Sequence, residues 1–198
     1  GTFYFSSGDI YEGEWFNDQR NGQGTMIYSN EEIYTGEWRD DLRNGIGTLI
    51  YPKMDKYIGH WRDGNKHGEG TFLFSNGDNF QGIWNENVWN GEGIFNYENG
   101  DHYIGGIINN MKHGRGVYSY NNGDSYNGEY QNDKREGSGT MAFANGDIYY
   151  GNWKADLKSG KGKYTHQNGN YYSGTYLNGK PDGIGTYSYG EVEKYEGE

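Results

Sequence analysis

Five histidines, His60, His67, His102, His113 and His166, are the side chains best suited to hold a metal ion or pass a proton near neutral pH. They are scattered, and no two fall at metal-ligand spacing, so they predict no metal centre. Ser138 lies between Gly137 and Gly139, the flanks of a nucleophile, but it lacks a strand-to-helix elbow and a nearby base. Gly68-Glu69-Gly70 would cradle a phosphate only if a helix followed, and no segment of period 3.6 does. With no cysteine there is no thiolate nucleophile, disulfide or cysteine zinc site, which fits a reducing compartment. The chemistry-bearing residues therefore predict no enzyme, no cofactor and no small-molecule substrate.

The same residue types recur at a fixed interval. Tyr11-Glu12-Gly13-Glu14-Trp15 returns as Tyr34-Thr35-Gly36-Glu37-Trp38 and Tyr57-Ile58-Gly59-His60-Trp61. The period is 23, and repeats begin at Tyr11, Tyr34, Tyr57, Phe80, Tyr103, Tyr126, Tyr149 and Tyr172, with partial repeats over 1–10 and 195–198. Residues 1–198 thus read as one array. Glycine is unbroken at positions 3, 12 and 14 of the repeat. Positions 1, 3 and 5 alternate aromatic, glycine, aromatic, and positions 14, 16 and 18 alternate glycine, large apolar, aromatic; period two means strands. The predicted fold is all-β, a single-layer twisted antiparallel meander of about 17–18 strands with no helix, in which each repeat touches only its neighbours. At ~4.8 Å per strand the ribbon would be roughly 80 Å long.

The expected core is the face carrying Tyr11, Trp15, Tyr34, Trp38, Tyr57, Trp61, Phe80, Trp84, Tyr126 and Trp153, with glycine leaving room for a neighbouring ring to lie flat on the backbone. Asn76-Gly77 and its equivalents between repeats are expected to supply the positive-φ pair of a two-residue hairpin turn. The acidic residue that follows, such as Asp78 or Asp101, reads as a cap for turn amides rather than a calcium ligand, because one carboxylate per repeat offers too few oxygens. Position 10 is basic in six of eight repeats (Arg20, Arg43, Lys66, Lys112, Arg135, Lys158), and aspartates in the same loops should compensate it.

An excess of 28 acidic over 17 basic residues opposes binding to nucleic acid and anionic membranes. Leu, Ile, Val and Phe are scarce enough to suggest disorder, but 21 Tyr, 8 Phe and 6 Trp can exclude water without an aliphatic core. No run of apolar residues is long enough to cross a membrane as a helix, and the start does not read as a secretion signal. A cytoplasmic location is expected, and the Gly1 start is read as that of a fragment.

Tyr11-Glu12-Gly13-Glu14-Trp15, followed by Asn21-Gly22-Gln23-Gly24 and, later in the period, by an Asn-Gly-Asp such as Asn76-Gly77-Asp78, resembles the MORN repeat. The resemblance covers the whole chain. It implies an elongated scaffold or docking surface, as in cytoskeletal scaffolds of protists, radial-spoke heads, junctophilins, alsin-like proteins and some phosphoinositide kinases. The expected function is a non-enzymatic, cytoskeleton-associated protein–protein interaction module that pairs with itself through a terminal repeat. The alternatives are a peripheral phosphoinositide-binding module and the regulatory repeats of a larger protein such as a lipid kinase.

Two segments depart from the pattern. Ile83, Val88, Trp89, Ile104, Ile107, Ile108 and Met111 form an apolar stretch that is either a protein interface or local packing. Repeat seven is basic, with Lys154, Lys158, Lys161 and Lys163 as a possible anion or lipid contact. Trp gives way to Ile107, Tyr130 and Tyr176 at position 5, and the turn glycine to Glu31, Met54 and Val192.

Overall fold

The computed structural model describes residues 1–190 and the backbone of 193–197; the turn position Val192 and residue Glu198 lie outside the described residues. It divides into two compact units, Gly1–Glu98 and Asn99–Glu198.

The first unit is a meander of nine strands: β1 (Thr2–Tyr4), β2 (Ile10–Phe16), β3 (Gln19–Ile27), β4 (Ile33–Arg39), β5 (Leu42–Ile50), β6 (Lys56–Arg62), β7 (Asn65–Leu73), β8 (Asn79–Asn85) and β9 (Val88–Asn96). Each pairs antiparallel with the next. The second unit repeats the plan with β10 (His102–Ile108), β11 (Met111–Ser119), β12 (Ser125–Gln131), β13 (Lys134–Ala142), β14 (Ile148–Lys154), β15 (Leu157–Thr165), β16 (Tyr171–Leu177), β17 (Lys180–Tyr189) and β18 (Glu193–Gly197). The fold is all-β, antiparallel and single-layered, and the described residues contain no helix.

A one-layer sheet has no second sheet to bury its rings, so the backbone itself must serve. Tyr57 is fully buried because its ring lies across Gly59 and Gly70, facing glycines of the adjacent strands β6 and β7. A Cβ on Gly70 would come within 2.5 Å of that ring. The ring covers glycines of its own repeat, not those of a neighbouring one. Its hydroxyl then donates to the His60 carbonyl at 2.8 Å, and six further repeats make the same bond from position 1, Phe80 being the repeat without a hydroxyl.

The turns differ from the expected ones. The two-residue turns with two positive-φ residues lie within the repeat, at Asn17-Asp18 (φ 48° and 61°) and its equivalents. Between repeats, only the glycine of Asn76-Gly77 is left-handed. The Gly77 amide bonds to the Phe74 carbonyl at 3.1 Å and the Phe74 amide to the Asp78 carbonyl at 2.9 Å, which makes a three-residue loop of a type I turn plus bulge. Glu31 and Met54 occupy the same left-handed position at φ 70° and 69° despite their side chains.

Candidate functional site

The inner face is built by positions 1, 5, 10, 16 and 18. The indoles of Trp38, Trp61, Trp84 and Trp153 at position 5 stand edge-on between two position-1 rings: Trp61 lies 5.2 Å from Tyr57 and 5.2 Å from Tyr34 of the preceding repeat, near perpendicular to both. Its Nε1–H donates to the Gly47 carbonyl of that preceding repeat at 3.2 Å, and Trp38, Trp84 and Trp153 do likewise. Of the expected core, Tyr11, Tyr34, Trp38, Tyr57, Trp61, Phe80, Trp84, Tyr126 and Trp153 lie buried on this face. Trp15 is a correction: it is 37% exposed, with Tyr11 on one side and the half-exposed Phe3 on the other.

The basic residues at position 10 do not sit in the loops. A register shift in each β-hairpin brings Lys66 directly opposite Trp61, and the cation is carried over the rings. Arg20 lies 4.5 Å from the Trp38 centroid, Arg43 4.3 Å from Trp61 and Arg135 4.3 Å from Trp153. Lys66 is boxed by Tyr51, Tyr57, Phe72 and Trp84, all within 5.4 Å of Nζ. Burial in that box, with Arg43 nearby, pushes the Lys66 amine down to about 8; burial lowers Lys112 and Lys158 as well. The compensating aspartates come from the following repeat: Asp41 accepts from Arg20 Nε at 2.9 Å and Asp156 from Arg135 Nε at 3.2 Å.

Both edges are stapled. At one edge, Asp41 also accepts the Arg20 amide, and Asn87, Asp133 and Asp156 make the equivalent bond. At the other, the acidic column reaches forward: Asp9, Asp55, Asp78, Asp101, Asp124 and Asp147 each accept an amide of the next repeat's turn at 2.7–2.9 Å. Hydrogen bonds from Tyr164 and the Gln167 amide hold Asp147 below the usual carboxylate range. This column is spent on turn amides, and no group of metal-ligating side chains occurs among the described residues.

What remains open on the inner face is the row at position 18. Tyr28, Tyr51 and Phe74 in the first unit and Tyr120 and Phe143 in the second are half-buried. Beside Tyr28 a cavity of about 380 Å³ is lined by Phe5, Arg20, Trp38 and Arg43.

The apolar segment is split by the fold. In the first unit Ile83 is exposed on the outer face, Val88 is half-buried, and Trp89 occupies the position-10 slot, stacked 4.4 Å from Phe80. In the second unit Ile107 is buried in the position-5 column, Met111 is half-buried, and Ile104 and Ile108 are exposed. Ile107 is buried and Trp89 half-buried, each packed within its own unit, as the local-packing alternative expects for these two residues. The four lysines of repeat seven also separate: Lys158 lies in the ring box of Tyr149 and Tyr164, whereas Lys154, Lys161 and Lys163 are exposed, with Lys161 and Lys163 lining a groove on the opposite face.

Short hairpins stapled to the next copy by the same three contacts define a β-repeat array rather than a globular domain. Its repeats are those of one family. The MORN repeat model matches residues 11–32, 34–53, 57–79, 80–102, 103–125, 126–148, 149–171 and 172–191, and the chain belongs to that family. No curated protein sequence matches it. Among solved structures, the wild-type TCP10 domain of Danio rerio CPAP aligns with a TM-score of 0.56 at 10% identity, over 96% of this chain and 88% of that one. The same domain in complex with a peptide of Danio rerio STIL gives 0.53 at 12% identity, over 99% and 92%. At such identities the likeness is one of fold.

Proposed function

We propose that the chain is a non-enzymatic scaffold whose inner face receives extended segments of partner proteins, and that it works in the cytoplasm, associated with the cytoskeleton and with itself. The observation that carries this reading is the half-open aromatic row at position 18, set on a backbone whose loops are tied at both edges. Rigid rings flanked by cations are the kind of surface that holds an extended peptide at low entropic cost. The peptide-bound state of the TCP10 domain, similar in fold, supports it.

Self-association through a terminal repeat is supported by the first hairpin, where Phe3, Tyr4, Trp15 and Phe16 are exposed. A phosphoinositide surface made of Lys154, Lys158, Lys161 and Lys163 has less support, since Lys158 is on the other face and inside a ring box.

Sedimentation tests both parts. The chain is expected to sediment as a dimer at tens of micromolar and to pellet with microtubules or actin filaments, with Tyr28→Ser/Tyr51→Ser weakening the filament arm alone. A monomer that stays in the supernatant with both filaments overturns the proposal.

A further inference from the structure

The outer face is mostly Glu, Thr and Ile, but repeat seven changes its chemistry. On β14, β15 and β16, Tyr150 stands directly opposite Lys163, and Lys163 opposite Ser173; Lys161 stands opposite Thr175. These five side chains therefore share one face, in rows spaced by about 4.8 Å. They line a groove of about 600 Å³ floored by glycine backbone at Gly151, Gly162 and Gly174, within the usual range of small-molecule sites.

The charge in this groove is uncompensated, and the reason can be read from the columns. Position 4 is Glu14, Glu37 and Glu129 in three repeats and His60, Ile83 and Gly106 in three others; beside the two lysines it is Asn152 and Thr175. Arg115, the comparable outer-face cation of repeat five, has Glu129 directly opposite. Lys161 and Lys163 face hydroxyls, and among the described residues no carboxylate lines the groove and neither lysine joins a salt bridge. In a chain of net charge −11 this is a local reversal of sign.

Rings complete the site. Tyr150 is 64% exposed, so its face is available. The Lys163 ammonium lies 3.9 Å from the Tyr171 centroid, which holds that side chain in place. An exposed ring, two lysines two residues apart on one strand face, hydroxyls and an amide over a glycine floor match a saturated ring with hydroxyls and one negative group. We propose that the outer face of the second unit binds an anionic sugar, a pyranose carrying a carboxylate or phosphate, with its charge on Lys161 and Lys163 and its ring on Tyr150. A membrane surface fits less well, because two exposed lysines lining one groove of an acidic chain do not form a broad basic patch.

Titration followed by amide NMR decides this, using D-glucuronate, glucose 6-phosphate, glucose and inorganic phosphate, with vesicles containing phosphatidic acid in a parallel flotation. At least one of the anionic sugars is expected to saturate with Kd on the order of 1 mM, a value suited to exposed charge pairs plus one ring contact. Shifts should centre on β14–β16, weaken at high salt, and exceed those from glucose or phosphate. Which sugar binds identifies the acid group. Lys161→Ala/Lys163→Ala should weaken the sugar by about tenfold or more. Tyr150→Ser should weaken the sugar but leave phosphate unchanged; circular dichroism confirms that the variants fold. Absence of saturation by either sugar overturns the proposal. So does phosphate binding as well as the sugars with Tyr150→Ser neutral, or vesicle capture without sugar binding.

Discussion

The Trp61 indole Nε1 and the Gly47 carbonyl oxygen stand 3.2 Å apart across the boundary between two repeats, in a buried setting. The contact joins what neither repeat could satisfy alone, since the indole N–H needs an acceptor once its ring is buried. Removing the donor while keeping an aromatic ring isolates that bond. Trp61→Phe should cost about 1–2 kcal/mol and Trp61→Ala about 3–5 kcal/mol, measured by urea denaturation. A Trp61→Phe variant as stable as the wild type would show that the bond contributes nothing.

Gly70→Ala should destabilise by about 3 kcal/mol, the upper end of overpacking, because its Cβ would meet the Tyr57 ring at 2.4–2.7 Å. Gly169→Ala, with φ +88° but no atom within 4 Å of its Cβ, should cost only about 1 kcal/mol. Thermal midpoints of the two variants test the ordering.

Asp147 has a lowered pKa in the folded state through bonds from Tyr164 and Gln167, so its contribution is present above the unfolded value near 3.9 and lost as pH falls through the folded one. Asp147→Asn should be less stable than the wild type at pH 7, and the difference should vanish once acidification passes the lowered folded-state value. Chemical denaturation from pH 7 to 2 reads it, and a difference that persists at the acid end would contradict the assignment.

For Lys66 the sign reverses. Its folded value of about 8 lies below the unfolded 10.5, so the folded state binds fewer protons and stability from this group rises with pH through that window. Lys66→Met should therefore be more stable than the wild type at pH 7, with the gap closing towards pH 10. A gap that widens would mean that the four rings favour the ammonium more than burial opposes it.

The strands and the glycine and aromatic columns were legible because alternation with period two has one structural meaning. The partner of each ring was not. Position 10 reads as a loop in linear spacing, and only the register shift between Gly59 and Trp61 sets Lys66 opposite the indole. The Asn-Gly pairs misled for a related reason: that dipeptide suits two turn types, and the loop length chosen by the Phe74–Asp78 pairing decides between them. Trp89 reads only as part of an apolar stretch, interface or local packing, until position 10 is known to be an inner slot, where a ring replaces a cation. The groove at Lys161 and Lys163 was visible only as a basic repeat, since the missing acid opposite them depends on strand register.

Replacement of the position-5 indole by Ile107, Tyr130 and Tyr176 leaves the two units optically unequal. Five of the six tryptophans, Trp15, Trp38, Trp61, Trp84 and Trp89, belong to the first unit, and Trp153 alone to the second. Intrinsic emission is thus a reporter of the first unit with one minority signal. In Trp153→Tyr the emission would follow the first unit only, while the far-ultraviolet signal follows both. Divergence of those two melting curves would measure whether the halves lose structure together.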